Sequence, residues 1–128
     1  MIWDHKYETM DRDDLKLLQL MRLRDVTARV YSSVPHYKKA FDDAKIKPSD
    51  IKSLDDLKRL PFTLKSDLRD NYPYGMFTMG LDNVVRIHAS SGTTGHPTVV
   101  GYPQNDINVW SEVMARTMTA AGLSNKEI

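Results

Sequence analysis

The sequence predicts an α/β fold: an N-terminal helical segment, then the first strands and helix of a sheet-containing domain that these residues only begin. Three observations lead there. Apolar residues recur at helical spacing over 13–32. Two β-branched runs, 84–89 and 98–102, flank a loop of glycines and hydroxyls. A second helical pattern covers 104–121, so two strands and one helix are all the sheet layer present, less than a finished one. The expected division is 1–80 for the helical segment and 81–128 for the opening of the α/β domain.

Each element has a local reason. Leu15, Leu17, Leu18, Leu20, Met21, Leu23, Val26 and Val30 form the apolar positions of the first long helix. Asp11, Asp13 and Asp14 sit near its start, where carboxylates suit the macrodipole. Pro35 suits the first turn of a shorter helix over 36–44. Residues 47–50 read as a turn. Ser53 is the expected N-cap of a helix over 54–60, ended by Pro61, and Thr63 that of a helix over 64–71. Tyr72-Pro73-Tyr74-Gly75 breaks the helical region. The two strands and their loop make a hairpin-like unit. The last helix carries Ile107, Trp110, Met114, Met118 and Ala121 on one face, with Gly122 at its C′ position. Core packing is expected for Trp110, Met114 and Met118.

Composition excludes several functions. With 18 Lys and Arg against 17 Asp and Glu, the net charge of +1 gives no broad basic face for nucleic acid. The absence of cysteine removes disulfides, Cys-based zinc sites and thiol nucleophiles. No apolar run approaches the ~18 residues of a membrane span, and residues 1–7 lack the apolar core of a secretory signal. A cytoplasmic protein with no membrane partner is the expectation. His5, His36, His88 and His96 show no metal-ligand spacing. The acid pairs Asp13-Asp14, Asp42-Asp43 and Asp55-Asp56 read as helix starts and solvated faces, as do the cations Arg22, Arg24, Lys38 and Lys39.

The loop carries the chemistry. Ser90, Ser91, Thr93 and Thr94 offer hydroxyl donors, and Gly92 and Gly95 let backbone approach a ligand closely. Successive N–H groups in such a turn form an anion-binding concavity, and no acid lies in it. A phosphate chain is the natural guest. Read alone, the same composition also makes a plain hairpin turn. It is neither a Walker A loop, since no lysine lies in or near it, nor a dinucleotide fingerprint, since it leads into a strand.

The run Ile87-His88-Ala89-Ser90-Ser91-Gly92-Thr93-Thr94-Gly95-His96-Pro97-Thr98-Val99-Val100-Gly101-Tyr102 closely resembles the phosphate-loop segment of the phenylacetate–CoA ligases. These belong to the adenylate-forming superfamily, with acyl-CoA synthetases, luciferases and peptide-synthetase adenylation domains. The stretch from Leu60 to Gly75, the helix after Gln104 and, less specifically, the opening with Trp3, Asp4, Met10 and Leu15 extend the resemblance over essentially the whole chain.

The resemblance implies a two-step reaction. The carboxylate of phenylacetate attacks the α-phosphate of ATP to give an acyl-adenylate and diphosphate. The thiol of coenzyme A then displaces AMP, giving phenylacetyl-CoA. It implies that Ser90, Ser91, Gly92, Thr93, Thr94, Gly95 and His96 hold the β- and γ-phosphates, and that no catalytic residue lies in this chain. The Mg²⁺ ligand, the aryl-acid pocket and the adenylation lysine of such enzymes match nothing here. The partner implied is therefore the missing C-terminal portion of a ligase or a second copy. The fragment alone is expected to be inactive and to aggregate or oligomerise. One position departs: related sequences often carry a lysine just before or just after the proline, where this chain has His96 and Thr98. Two readings of His96 stand, a phosphate contact that is charged only when protonated, and an exposed histidine kept extended by Pro97. Two alternatives stand for the whole: a ligase for another aryl or acyl acid, or a non-catalytic module that associates with another chain.

Overall fold

Aspartates set the helix starts in the computed structural model, which describes residues 1–90 and 96–124. α1 (His5–Glu8) begins under Asp4, whose carboxylate accepts the Tyr7 N–H at 3.3 Å. α2 (Arg12–Ser33) begins under Asp11, which accepts the Asp13 N–H at 2.8 Å. That bond holds the Asp11 carboxyl below its ordinary range. Val34 is extended, as the residue before a proline must be, and Pro35 opens α3 (Pro35–Asp43).

One device recurs at three short elements. Asp50 accepts the Lys47 N–H at 2.9 Å ahead of a 3₁₀ turn at Pro48–Asp50. Asp56 accepts the N–H groups of Ser53 and Lys52, both at 2.9 Å, ahead of a 3₁₀ helix at Leu54–Arg59. Asp67 accepts the Leu64 N–H at 2.6 Å ahead of α4 (Lys65–Asp70). Two expectations are corrected here. The 54–60 element is 3₁₀ rather than α, although Ser53 is its N-cap as expected, with its hydroxyl donating to Asp56. Thr63 is not a cap: Leu64 holds that position, and the Thr63 hydroxyl bonds the Tyr37 hydroxyl at 2.8 Å. Both aspartates stand three residues downstream, a position from which a carboxylate reaches the free N–H.

Among the described residues the buried side chains are Thr27, Val34, Phe41, Ile46 and Ile51. They lie where α2, α3 and the 48–51 turn meet. Thr27 satisfies its hydroxyl on the Leu23 carbonyl at 2.8 Å, so it can lie within the helix packing. Arg24, expected on a solvated face, donates to the carbonyls of Ile51 and Lys52 at 2.9 and 3.2 Å and ties α2 to the turn. Tyr31 donates to Asp42 at 2.8 Å, and Lys38 pairs with the same carboxylate at 2.6 Å, locking α2 to α3.

β1 (Arg86–Ala89) and β2 (Val99–Tyr102) pair antiparallel, with Arg86 opposite Tyr102 and Ala89 opposite Val99. β1 starts later than the expected 84 because a 3₁₀ turn at Leu81–Asn83 takes the Val84 N–H. α5 (Gln104–Ala120) follows at once and ends at Gly122, whose φ of 98° is the left-handed C′ conformation. α5 contains no buried residue. Trp110, Met114 and Met118, expected in a core, are 42–43% exposed. Their periodicity is real, but the described residues supply too little to cover them. No helix among the described residues is long and apolar enough to cross a membrane.

Candidate functional site

The hairpin delivers both ends of the glycine and hydroxyl loop to one place. Residues 91–95, five of the seven expected phosphate contacts, lie outside the described residues. The two that are described, Ser90 and His96, stand at the loop's ends. Ser90 continues the ladder beyond β1: its N–H donates to the Thr98 carbonyl at 3.0 Å. Its hydroxyl and that of Thr98 share a hydrogen bond of 2.5 Å. The strands are thus tied together up to the last residue before the loop. The Ser90 hydroxyl is engaged in that neck and also accepts the Thr98 N–H at 3.4 Å.

His96 is exposed, and its ring stacks on Tyr72 with centroids 4.9 Å apart and planes 16° from parallel. Tyr72 belongs to the break after α4. A second contact from that turn reaches β2. The Phe77 ring fills the space beside Gly101, where a Cβ would come within 2.4 Å of Phe77 Cε2. Gly101 is therefore a close-approach glycine, and a glycine inside a β-branched strand was the available sequence signal.

On the α5 side a ring cluster holds the hairpin. Tyr102 in β2 stacks on Trp110 in α5 at 5.5 Å, and His88 in β1 meets both rings edge-on at 5.0 and 5.6 Å. The place of His88 in this cluster depends on strand register, which pairs it with Val100. α5 also reaches the N-terminus. Arg116 donates to Asp4 at 2.9 Å, and the Trp3 indole donates to Glu112 at 3.0 Å. The Arg116 guanidinium lies over the Tyr7 ring at 5.2 Å.

Residues 83–105 contain no Asp or Glu, and Arg86 stands at the start of β1, the end of the strand away from the loop. Among the described residues no three His, Asp or Glu side chains converge on one point. The described neck holds hydroxyl and backbone groups and no cluster of carboxylates of the kind that holds Mg²⁺.

No protein-family model matches the chain. Its fold is that of adenylate-forming CoA ligases. A 2-hydroxyisobutyryl-CoA ligase with 2-HIB-AMP and CoA, in its thioesterification state, superimposes with a TM-score of 0.78 at 31% identity, over 86% of this chain and 24% of that one. The same ligase in its postadenylation state with 2-HIB-AMP gives 0.78 at 28% identity, over 89% and 25%. In sequence the chain is related to the phenylacetate–coenzyme A ligases. That of Aromatoleum evansii is 54% identical over 115 residues, which is 90% of this chain and 26% of the relative. Those of Thermus thermophilus and Escherichia coli are 49% and 51% identical, over 95% and 94% of this chain and 27% and 28% of their own lengths. The chain spans about a quarter of the length of the curated relatives it matches.

Proposed function

We propose that this chain is the N-terminal part of an ATP-dependent phenylacetate–CoA ligase and contributes the loop that holds the β- and γ-phosphates of ATP. The observation that carries this reading is a hydroxyl and glycine loop, with no acid in the sequence from 83 to 105, strung between two paired strands of a chain about half identical to such ligases. In the overall reaction, phenylacetate, ATP and CoA give phenylacetyl-CoA, AMP and diphosphate. Diphosphate departs with high negative charge, so donors fixed before the reaction lower the barrier more than donors that must reorganise. On this reading Ser90 to His96 supply those donors, from backbone N–H groups and from the hydroxyls of Ser91, Thr93 and Thr94.

The acid pocket, the CoA site and the ligands of any Mg²⁺ accompanying ATP are then supplied by residues outside these 128. The division of labour at residue 80, between a helical segment and the opening of the ligase domain, belongs to the same proposal, as does a cytoplasmic setting. The apolar residues exposed on β1, β2 and α5, among them Ile87, Val100, Val109 and Val113, are the surface on which the rest of the ligase would pack. The test is co-expression with the remaining three quarters or so of the ligase, followed by phenylacetate-dependent ATP–diphosphate exchange. Exchange that depends on both chains, and that Gly92→Ala abolishes, is the expected result. A reconstituted complex with no exchange, or one indifferent to Gly92→Ala, overturns the assignment.

A further inference from the structure

We propose that Tyr72 is a positioning residue for the ATP triphosphate and acts through His96; this rests on the phosphate-loop reading above. The loop has two feet. The outgoing foot is Ser90, tied to Thr98 by three hydrogen bonds. The returning foot is His96, and its ring contact is the stack on Tyr72.

Both members of the stack are held from behind. The Tyr72 N–H donates to the Arg69 carbonyl at 3.1 Å, and the Asn71 side-chain amide donates to the Asp67 carbonyl at 2.8 Å. The Gly75 N–H folds back onto the Asn71 carbonyl at 2.9 Å. A Cβ on Gly75 would lie 2.8 Å from that oxygen, so the tight turn depends on glycine. Phe77 against Gly101 fixes the same turn to β2. His96, for its part, precedes Pro97, which restricts its backbone to extended conformations.

The turn therefore bears on the hairpin at two points with different consequences. Phe77 on Gly101 holds the strand. Tyr72 on His96 holds the residue at which the loop comes back. Fixing a loop at both ends leaves fewer backbone states to be ordered when its donors meet the phosphates. Releasing the returning foot weakens the hold on ATP without touching the acid site, which reads as a higher KM for ATP alone.

The experiment uses the reconstituted ligase and Tyr72→Ala, Tyr72→Phe, His96→Ala and the double alanine variant. Tyr72→Ala is expected to raise KM for ATP roughly tenfold in diphosphate exchange and leave KM for phenylacetate unchanged. Tyr72→Phe, which keeps the ring, restores the parent value. His96→Ala matches Tyr72→Ala, and the double variant is no worse than either single. Equal rises in both KM values, or additive effects, overturn the proposal in favour of a purely structural role. An unchanged KM for ATP in Tyr72→Ala, where Gly92→Ala still abolishes exchange, overturns it and leaves the phosphate-loop reading standing. A complex without exchange overturns both. In the 128-residue chain itself, the ring-current shift of the His96 ring protons disappears in Tyr72→Ala and persists in Tyr72→Phe. Unaltered His96 signals in Tyr72→Ala refute the stack directly.

Discussion

Two regions of this molecule carry similar amounts of apolar sequence and treat it differently. Around α2, α3 and the 48–51 turn, Val34, Phe41, Ile46 and Ile51 are buried. In β1, β2 and α5 no side chain is buried, and Ile87, Val100, Val109, Trp110 and Val113 are all more than 40% exposed. The difference teaches that amphipathic pattern gives a face its direction but does not supply a partner. The first region closes on itself, with α3 and the 48–51 turn both packed on α2. The second has one hairpin and one helix, joined by the His88, Tyr102 and Trp110 rings.

The sharpest way to break this contrast is to delete one side chain from each region. Ile51 is 1% exposed, so Ile51→Ala is expected to cost about 2–5 kcal/mol through lost contacts and a cavity. Val113 is 50% exposed, and Val113→Ala is expected to stay within about 0.5 kcal/mol. Urea unfolding followed by circular dichroism measures both. A cost at Val113 as large as that at Ile51 would mean that α5 is covered in solution by another chain, which sedimentation would then reveal.

A smaller effect tests how the hairpin is held in the absence of a core. Gly101→Ala places a methyl against the Phe77 ring. The expected destabilisation is about 1–3 kcal/mol, the range for overpacking. In a Phe77→Ala background the space is free and the penalty should vanish. Thermal melts of the four-member cycle give the coupling, and additive penalties would show that the turn does not pin the strand.

The sequence was legible where local rules act alone. The long helix over 13–32, Pro35 at the start of α3, the hairpin and Gly122 after α5 follow from periodicity, proline geometry and left-handed glycine. What was missed depended on neighbours. Ser53 is the N-cap it reads as, but the cap before α4 is Leu64 rather than Thr63, whose hydroxyl is taken by Tyr37 from a distant element. The 3₁₀ form of 54–59 carries no signal in length, since α4 has the same six residues and is α-helical. Arg24 became a structural tie because the chain returns beside it 27 residues later. At the site, the loop and its two strands were readable, whereas Tyr72, Phe77 and the His88 cluster were not. Each of those contacts joins elements whose relative placement no local pattern encodes.

The smallest expected effect concerns acid, and it separates the two regions by charge. Asp56 accepts the Ser53 and Lys52 N–H groups and pairs with Arg59, and its carboxyl is lowered from 3.8 to about 2. Asp11 and Asp42 are lowered as well, the first by the Asp13 N–H and the second by Lys38 and Tyr31. All three lie in the N-terminal region, while residues 83–105 contain no acid. A carboxyl depressed by folding stabilises the native state above its unfolded value, and that contribution is lost as pH falls through the folded one. The 3₁₀ helix at Leu54–Arg59 should therefore loosen between about pH 4 and pH 2, while the Val85 N–H bond to Tyr102 and the Ser90 N–H bond to Thr98 are unaffected directly. Amide resonances followed from pH 5 to pH 2 make the distinction. The Ser53 and Lys52 signals should move with a midpoint near 2, and Asp56→Asn should abolish that titration. A midpoint near 4 would mean that Asp56 is free in solution. Matching titration of the Val85 and Ser90 amides would mean that the hairpin depends on the helical region for its stability, and the two regions would then have to be treated as one cooperative unit.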